Sequence, residues 1–142
     1  HGVADYSDVI IDGGPKRVWP DHGMEGTDEA KFYPGLRIDL VNAVFRKGYE
    51  LDTHPYSSFP AKLMLEGVEL PVGLEQFLLA HGITEVVVVG LAFDYCAGET
   101  ALDAAKFGFK TTVLQQFSPS ISPDSQEFML KRLQAARIEV RN

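Results

Sequence analysis

Val86-Val87-Val88-Val89-Gly90 is the most strand-like segment of the chain, and Leu91-Ala92-Phe93-Asp94-Tyr95-Cys96 follows it directly. Four β-branched residues without polar alternation predict a strand buried on both faces, as parallel strands of α/β sheets are. Gly90 ends this strand, and a helix is predicted from about Cys96 to Phe107. The only cysteine of the chain is therefore expected where a strand turns into a helix.

The segments on either side continue the alternation of strands and helices. Apolar and β-branched residues predict strands at Thr111 to Leu114 and at Ile138 to Val140. Between them, Ser122-Pro123 combines an N-cap with a proline suited to the first helical turn. Upstream, the apolar face of Val72 to His81 predicts a helix that Gly82 ends. This order predicts an α/β fold, with a parallel sheet and helices on both of its sides.

The remaining segments carry weaker strand and helix signals. The apolar run from Asp39 to Phe45 predicts a strand that leads to Lys47, and Val9-Ile10-Ile11 predicts a short edge strand. If the Asp39–Phe45 strand is parallel to the valine strand and adjacent to it, Lys47 projects toward the same crevice as Cys96. The helix after Ser122 is expected to bury one apolar face, formed by Phe128, Met129, Leu133 and Ala136.

Length and composition narrow the class of protein. The 142 residues are the size of one domain, and 45% of them are hydrophobic, which is ordinary for a globular chain. With 13 Lys and Arg against 20 Asp and Glu, the net charge is −7, so nucleic acid and anionic membranes are not expected partners. No apolar run approaches the roughly 20 residues of a membrane span. A single cysteine and no visible targeting segment suggest a reducing, cytoplasmic compartment. A homo-oligomer is compatible with this sequence.

Cys96 is a candidate nucleophile because of its predicted place. Helix N-termini carry unpaired N–H groups and a positive partial charge, which favour the reactive thiolate and can stabilise a developing oxyanion. The alternative is a small buried side chain, the usual role of a lone cysteine. Lys47 and His22 each have an equally plain alternative, since a lysine is usually a solvated cation. A histidine without neighbouring ligands is usually a surface group rather than a metal ligand.

Several ordered motifs resemble the cysteine hydrolases of the isochorismatase-like superfamily, and among them the nicotinamidases (pyrazinamidases). The nucleophile segment of that family is similar to Gly90–Cys96, and its lysine segment is similar to Val44-Phe45-Arg46-Lys47-Gly48. Tyr56-Ser57-Ser58-Phe59 resembles the segment that follows the lysine. The loop Trp19-Pro20-Asp21-His22-Gly23 resembles the family's Trp-Pro-x-His loop. The resemblance extends from about Val18 to the C-terminus.

This resemblance implies an enzyme that converts nicotinamide to nicotinate and ammonia in NAD salvage. It implies that Cys96 is the nucleophile and Lys47 a second catalytic residue, and that the Leu91–Ala92 peptide bond is cis. The backbone N–H groups of Ala92 and Cys96 would then form the oxyanion hole.

The resemblance also implies a substrate pocket and a metal. Trp19 and Tyr56 would line an aromatic pocket, which suits a flat pyridine ring. His22 would be one ligand of a divalent metal, usually zinc, that holds the pyridine nitrogen.

The chain departs from the family pattern in several places. Phe93 replaces the usual threonine and could reshape the pocket rim, and Gly23 replaces a cysteine. The family's third catalytic residue is an Asp that follows an N-terminal strand, and Asp12 is a poor candidate because Gly13-Gly14-Pro15 comes next. No Asp-x-His metal motif precedes His22. We therefore expect residues 1–142 to be a single, incomplete hydrolase domain whose N-terminal strands, catalytic Asp and metal ligands belong to a missing N-terminal segment.

Two alternatives stay open at this stage. One is a related cysteine hydrolase that acts on another amide, carbamoyl or ureido compound, or on an isochorismate-like ether. The other is a non-catalytic domain with the same fold. Trp19 and His22 favour pyridine recognition over the first, and the presence of both Cys96 and Lys47 favours an enzyme over the second.

Overall fold

The structure, a computed structural model, describes residues 2–11, 13–48 and 55–142. The described residues fall into two compact units. The first comprises residues 2–11 and 13–43, and the second comprises residues 44–48 and 55–142. Each unit is considered by itself.

The first unit contains an antiparallel hairpin and two short turns. Strands β1 (Asp8–Ile11) and β2 (Gly14–Arg17) pair with Ile11 opposite Gly14, which confirms the predicted strand at Val9–Ile11. Single 3₁₀ turns cover Asp28–Ala30 and Ile38–Leu40. Regular structure in this unit is therefore limited to short elements, as its many turn-forming residues predict.

The predicted strand over Asp39–Phe45 is largely wrong. Its first half is the 3₁₀ turn at Ile38–Leu40, where the Arg37 guanidinium donates to the Asp39 carboxylate at 2.6 and 2.8 Å. This bond holds the pKa of Asp39 below its ordinary value. A short-range Arg–Asp pair and the turn preference of Asp outweigh the apolar pattern here.

The second half of that segment begins an antiparallel sheet in the second unit. Strand β3 (Val44–Arg46) pairs with β4 (Lys62–Leu65), and β4 pairs with β5 (Val68–Gly73). The expected parallel pairing of the lysine strand with the valine strand is therefore not found among the described residues. Lys47 follows the end of β3.

The C-terminal half forms the predicted parallel sheet. Helix α1 (Leu74–Ala80) precedes β6 (Glu85–Val88). Helix α2 (Gly98–Lys106), β7 (Lys110–Leu114), α3 (Pro123–Ala135) and β8 (Glu139–Arg141) follow in that order. The strands lie side by side as β6-β7-β8, and both neighbouring pairs are parallel. The strand-helix alternation predicted from Val86 to the C-terminus is confirmed.

One face of this sheet carries the core. Val88, Val113 and Val140 are neighbours in register and pack against the buried side chains of both helices. The core residues from α2 and α3 are Ala101, Leu102, Ala105, Met129, Leu130 and Leu133. A two-point ion pair between Arg132 and Glu99 links the two helices. Among the described residues, both long helices therefore cover the same face.

The opposite face of β6 is open, so the prediction that this strand is buried on both sides is wrong for the described residues. Val87 is 62% exposed and Val89, just past the strand, is 53% exposed. The valine pattern predicts a two-sided environment, whereas α2 and α3 supply only one covering layer.

The core face of α3 is narrower than predicted. Met129 and Leu133 are fully buried, but Phe128 is 63% exposed and Ala136 is also exposed. Met129 and Leu133 are four residues apart and point to the sheet together, whereas Phe128 lies about 100° further round the helix. The centroid of its ring lies 5.7 Å from the Arg132 guanidinium carbon.

No helix in the described ranges has both the length and the apolar character needed to cross a membrane.

Gly98, the first residue of α2, is required by close packing. A Cβ atom at this position would lie 2.5 Å from the Phe93 carbonyl oxygen and 2.5 Å from the Met129 sulfur. Because the carbonyl belongs to the backbone, it cannot move aside without distorting the turn. We expect Gly98→Ala to lower the free energy of unfolding by about 2 kcal/mol, measured by urea denaturation.

The matched control is Gly14→Ala, because a Cβ atom at Gly14 would meet nothing within 4 Å. This substitution should change the unfolding free energy by less than about 1 kcal/mol. Equal effects of the two substitutions would show that the close approach at Gly98 does not limit stability.

Candidate active site

Cys96 lies in a tight π-helical turn, Phe93–Ala97, that joins the end of β6 to α2. The amides of Tyr95 and Ala97 both donate to the carbonyl of Ala92, each at 3.0 Å. The thiol is half-buried. The peptide bond between Leu91 and Ala92 is cis, as the resemblance implies. The cysteine thus lies where the sequence pattern predicts, at a strand-to-helix junction.

Two amides of this junction, those of Ala92 and Cys96, are the predicted oxyanion-hole donors. The Phe93 N–H donates to the carbonyl of Pro119 at 3.0 Å. Within the part of the chain that the structure describes, neither the Ala92 nor the Cys96 N–H donates to a backbone carbonyl outside the turn. Such amides are suitable donors for an oxygen that gains negative charge.

Lys47 is held beside the segment that begins at Pro55. Its half-buried ammonium donates to the Pro55 carbonyl at 3.1 Å and to the Tyr56 carbonyl. An ammonium has three N–H donors, so one remains beyond these two bonds. The lysine is therefore fixed by backbone carbonyls, which bring no opposing negative charge.

The same segment contacts the turn that carries the thiol. The Tyr56 ring lies 5.3 Å from the ring of Tyr95, centroid to centroid, and Tyr95 precedes Cys96. The second unit therefore brings Lys47, Tyr56 and the Ala92–Cys96 turn into one region. The contacts that connect Lys47 with this turn run through the Pro55 and Tyr56 carbonyls and the Tyr56 ring, and not through parallel neighbouring strands.

Trp19 and His22, the other predicted site residues, belong to the first unit. The Trp19 ring meets Tyr6 edge-on, with 5.9 Å between centroids. His22 is exposed, and its Nδ1 lies 2.6 Å from the Pro20 carbonyl oxygen. A bond of this kind, with Nδ1 donating, leaves Nε2 as an acceptor and is usual for metal-binding histidines.

A complete metal centre is not formed by the residues in the described ranges. No group of three or more His, Cys, Asp and Glu side chains in those ranges could hold a metal ion. Zinc sites in proteins use at least three protein ligands. His22 alone therefore does not fit a metal, although its ring geometry is compatible with one ligand of a larger set.

Two polar residues of this region were not predicted. Asp94 is 6% exposed, and its carboxylate accepts bonds from the amides of Ile121 and Ser122 and from the Ser125 hydroxyl. The Thr100 hydroxyl bonds the Cys96 carbonyl. Asp94 stands within the nucleophile motif, but no local pattern reveals a partner 27 or more residues away.

The departures from the family pattern have mixed outcomes. Phe93 is fully buried in the core with Val113 and Met129, so the expectation that it reshapes a pocket rim is wrong. A large apolar side chain at this turn is taken up by the helix–sheet core. Gly23 is exposed with a positive φ of 60°, a conformation that favours glycine. Asp12 lies outside the described residues.

Comparison with known proteins decides the family. The model of the isochorismatase domain matches residues 13–141. The chain belongs to the isochorismatase family. Its α/β fold, with a parallel sheet, is the fold of solved nicotinamidases: the nicotinamidase/pyrazinamidase of Acinetobacter baumanii superposes with a TM-score of 0.86 at 32% identity, over 99% of this chain and 67% of that chain.

Curated relatives are similar in sequence. The nicotinamidase of Escherichia coli K12 is 37% identical over 114 residues, which are 80% of this chain and 52% of that protein. The nicotinamidase/pyrazinamidase of Mycobacterium tuberculosis is 37% identical over 140 residues, or 98% of this chain and 66% of that protein. The chain thus spans about half to two thirds of the length of these relatives.

Two further solved structures contain small groups. The pyrazinamidase of Pyrococcus horikoshii, in complex with zinc, has a TM-score of 0.70 at 32% identity over 86% of this chain and 62% of that chain. PnC1 of L. infantum, in complex with nicotinate, has a TM-score of 0.74 at 30% identity over 86% of this chain and 59% of that chain. Members of the family similar to this chain therefore bind zinc or a pyridine carboxylate.

Proposed function

We propose that the protein is a nicotinamidase, an amidohydrolase that converts nicotinamide and water to nicotinate and ammonia in NAD salvage. The observation that carries the proposal is the half-buried Cys96 at a strand-to-helix turn, in a chain 37% identical to nicotinamidases. Because the chain spans only part of those proteins, the activity is proposed for the whole enzyme. A reducing, cytoplasmic compartment that keeps Cys96 free is part of the proposal.

Cys96 is proposed to act by covalent catalysis. Its sulfur attacks the carboxamide carbon of nicotinamide and forms a tetrahedral intermediate with a negatively charged oxygen. The proton that the thiol gives up is transferred to the amide nitrogen, the C–N bond breaks, ammonia leaves, and a thioester remains. Water attacks the thioester, releasing nicotinate and the free thiol. The N–H groups of Ala92 and Cys96 are the proposed donors to the charged oxygen.

Lys47 is proposed to favour the thiolate form of Cys96 and to stabilise negative charge in the transition state. An ammonium attracts a nearby thiolate, and the attraction strengthens as water is excluded. The carbonyls of Pro55 and Tyr56 hold this ammonium without neutralising its charge. This arrangement supports an electrostatic role for Lys47.

Tyr56 and Trp19 are the proposed aromatic walls of the substrate pocket, because a flat pyridine ring packs well against aromatic rings. His22 is proposed as one ligand of a divalent metal ion, zinc being the first candidate. Such an ion would bind the pyridine nitrogen of the substrate. The other ligands would have to come from residues beyond those described. None of the chemical steps above depends on the metal.

The catalytic Asp and the remaining metal ligands are proposed to lie in an N-terminal segment of the same enzyme. The open face of β6, where Val87 is 62% exposed, supports a further covering layer. β6 pairs only with β7 among the described strands, so it also has a free edge that another strand can join.

The test is a substrate panel on the full-length protein. Ammonia release would be measured with nicotinamide, pyrazinamide, a ureido compound and a carbamoyl compound, each at the same concentration. We expect kcat/KM for nicotinamide to exceed that for the ureido and carbamoyl compounds at least about 100-fold, since only amides on a flat aromatic ring fit an aromatic pocket. Preferred hydrolysis of a ureido or carbamoyl compound would replace nicotinamidase by a related cysteine hydrolase.

A further inference from the structure

The Thr100 hydroxyl lies between two segments that are far apart in the sequence. Its oxygen lies 2.7 Å from the Cys96 carbonyl oxygen and accepts the Ser58 backbone N–H at 2.9 Å. The Ser58 hydroxyl is 3.3 Å away. A hydroxyl has a single proton, so Thr100 donates to Cys96, its shorter contact, while it accepts from Ser58.

These two segments carry the two groups of the proposed chemistry. Ser58 lies two residues after Tyr56, whose carbonyl receives the Lys47 ammonium. Cys96 lies in the π-helical turn four residues before Thr100. A continuous set of hydrogen bonds and short backbone steps thus runs from the Lys47 ammonium to the Cys96 carbonyl, and Thr100 is the link between its two halves.

The Thr100 bonds hold the two segments more closely than the aromatic contact between them can. The contact between the Tyr56 and Tyr95 rings is apolar and permits sliding, because ring contacts tolerate a range of offsets. A hydroxyl that bonds both segments fixes their separation far more narrowly, since hydrogen bonds weaken steeply outside their normal distances and angles. The Thr100 hydroxyl therefore constrains the register between the two segments.

We propose that Thr100 is a positioning residue, which keeps the segment that holds Lys47 in register with the Cys96 thiol. The inference rests on the proposed roles of Cys96 and Lys47. Its physical basis is that the attraction between ammonium and thiolate falls with distance, and that a misplacement of about 1 Å at a reacting group can cost roughly 100-fold in rate. Thr100 itself touches neither the substrate nor the reacting atoms in this scheme.

The experiment compares Thr100→Val, which keeps the shape but lacks the hydroxyl, with Thr100→Ser, which retains it. Thr111→Val is the matched control, because the buried Thr111 hydroxyl donates to the Phe109 carbonyl at 2.9 Å, at the start of β7. For nicotinamide we expect Thr100→Val to lower kcat about 10- to 100-fold with little change in KM. Thr100→Ser should restore kcat to within about threefold of the natural protein, and Thr111→Val should leave it unchanged.

A second readout needs no substrate. Iodoacetamide alkylation of the Cys96 peptide at pH 7 can be followed by mass spectrometry in the natural protein, Thr100→Val and Lys47→Met. We expect both variants to react several-fold more slowly, since the thiolate is the reacting form. An unchanged rate in Thr100→Val beside a slower Lys47→Met would overturn the proposal. A faster rate in Thr100→Val would overturn it as well, because that rate would show that the substitution unfolds the site locally and exposes the sulfur.

The two proposals fail in different ways. If the natural protein does not hydrolyse nicotinamide but Thr100→Val and Lys47→Met both slow alkylation, the substrate is wrong and the positioning role of Thr100 stands. If Lys47→Met leaves alkylation unchanged, the pairing of Lys47 with Cys96 is wrong, and the proposal for Thr100 is rejected with it.

Discussion

Cys96→Ala should reduce kcat/KM for nicotinamide by about 10⁴-fold or more, the largest effect expected of any single substitution in this chain. Without the sulfur no thioester can form, and the remaining groups can only orient the amide and polarise its carbonyl. The measurement is ammonia release by the full-length enzyme at saturating nicotinamide and at low nicotinamide.

Cys96→Ser is the informative companion variant. It retains a side chain of similar size that can donate a hydrogen bond, but a hydroxyl stays protonated where a thiol ionises. We expect its activity to be nearly as low as that of Cys96→Ala. Circular dichroism should show both variants folded, because the cysteine is only half-buried. Activity within tenfold of the natural enzyme in either variant would exclude thiol catalysis.

The C-terminal half of the fold was predictable because its signals are local. The valine run of β6 and the Ser122-Pro123 helix start each act within a few residues. Parallel pairing then follows from the alternation of strands and helices. The same local signals misled at Asp39–Phe45, where an Arg–Asp contact stabilises a turn.

Burial was less predictable because it depends on which elements lie above each face. Four valines in a row predict a two-sided environment, yet Val87 faces outward where α2 and α3 cover only the other side. Phe128 shows the same limit. Neighbouring residues of a helix point in directions about 100° apart, so a shift of one position decides whether a phenylalanine reaches the core.

The candidate site likewise contains residues that local sequence predicts and residues that depend on distant contacts. The place of Cys96 follows from a strand, a glycine and a helix, all adjacent in sequence. The proposed roles of Lys47 and His22 depend on the family resemblance, because each residue alone is ordinary. The contacts of Asp94 and the Thr100–Ser58 bond escaped both approaches, since these partners lie 27 to 42 residues apart, and a single sequence carries no record of such contacts.

Asp94→Ala should lower the free energy of unfolding by about 3 kcal/mol, measured by urea denaturation. The buried carboxylate accepts the Ile121 amide at 2.9 Å, the Ser122 amide at 3.3 Å and the Ser125 hydroxyl at 2.5 Å. Hydrogen bonds to a charged group contribute about 1.5–3 kcal/mol each, but water can partly replace the carboxylate at the exposed Ile121. The expected loss of unfolding free energy therefore corresponds to one or two such bonds, and not to the sum of all three.

Two further variants separate hydrogen bonding from charge. Asp94→Asn keeps one accepting oxygen and should lose about half as much stability as Asp94→Ala. Asp124→Asn removes a carboxylate from the exposed first turn of α3, the helix whose start Asp94 contacts. The helix dipole favours a carboxylate there, so a loss below about 1 kcal/mol is expected. If all three variants lose the same stability, the effect of Asp94 is general electrostatics and not the fixing of the loop before α3. If Asp94→Ala alone is strongly destabilised, this motif residue anchors the start of α3 to the turn that carries Cys96.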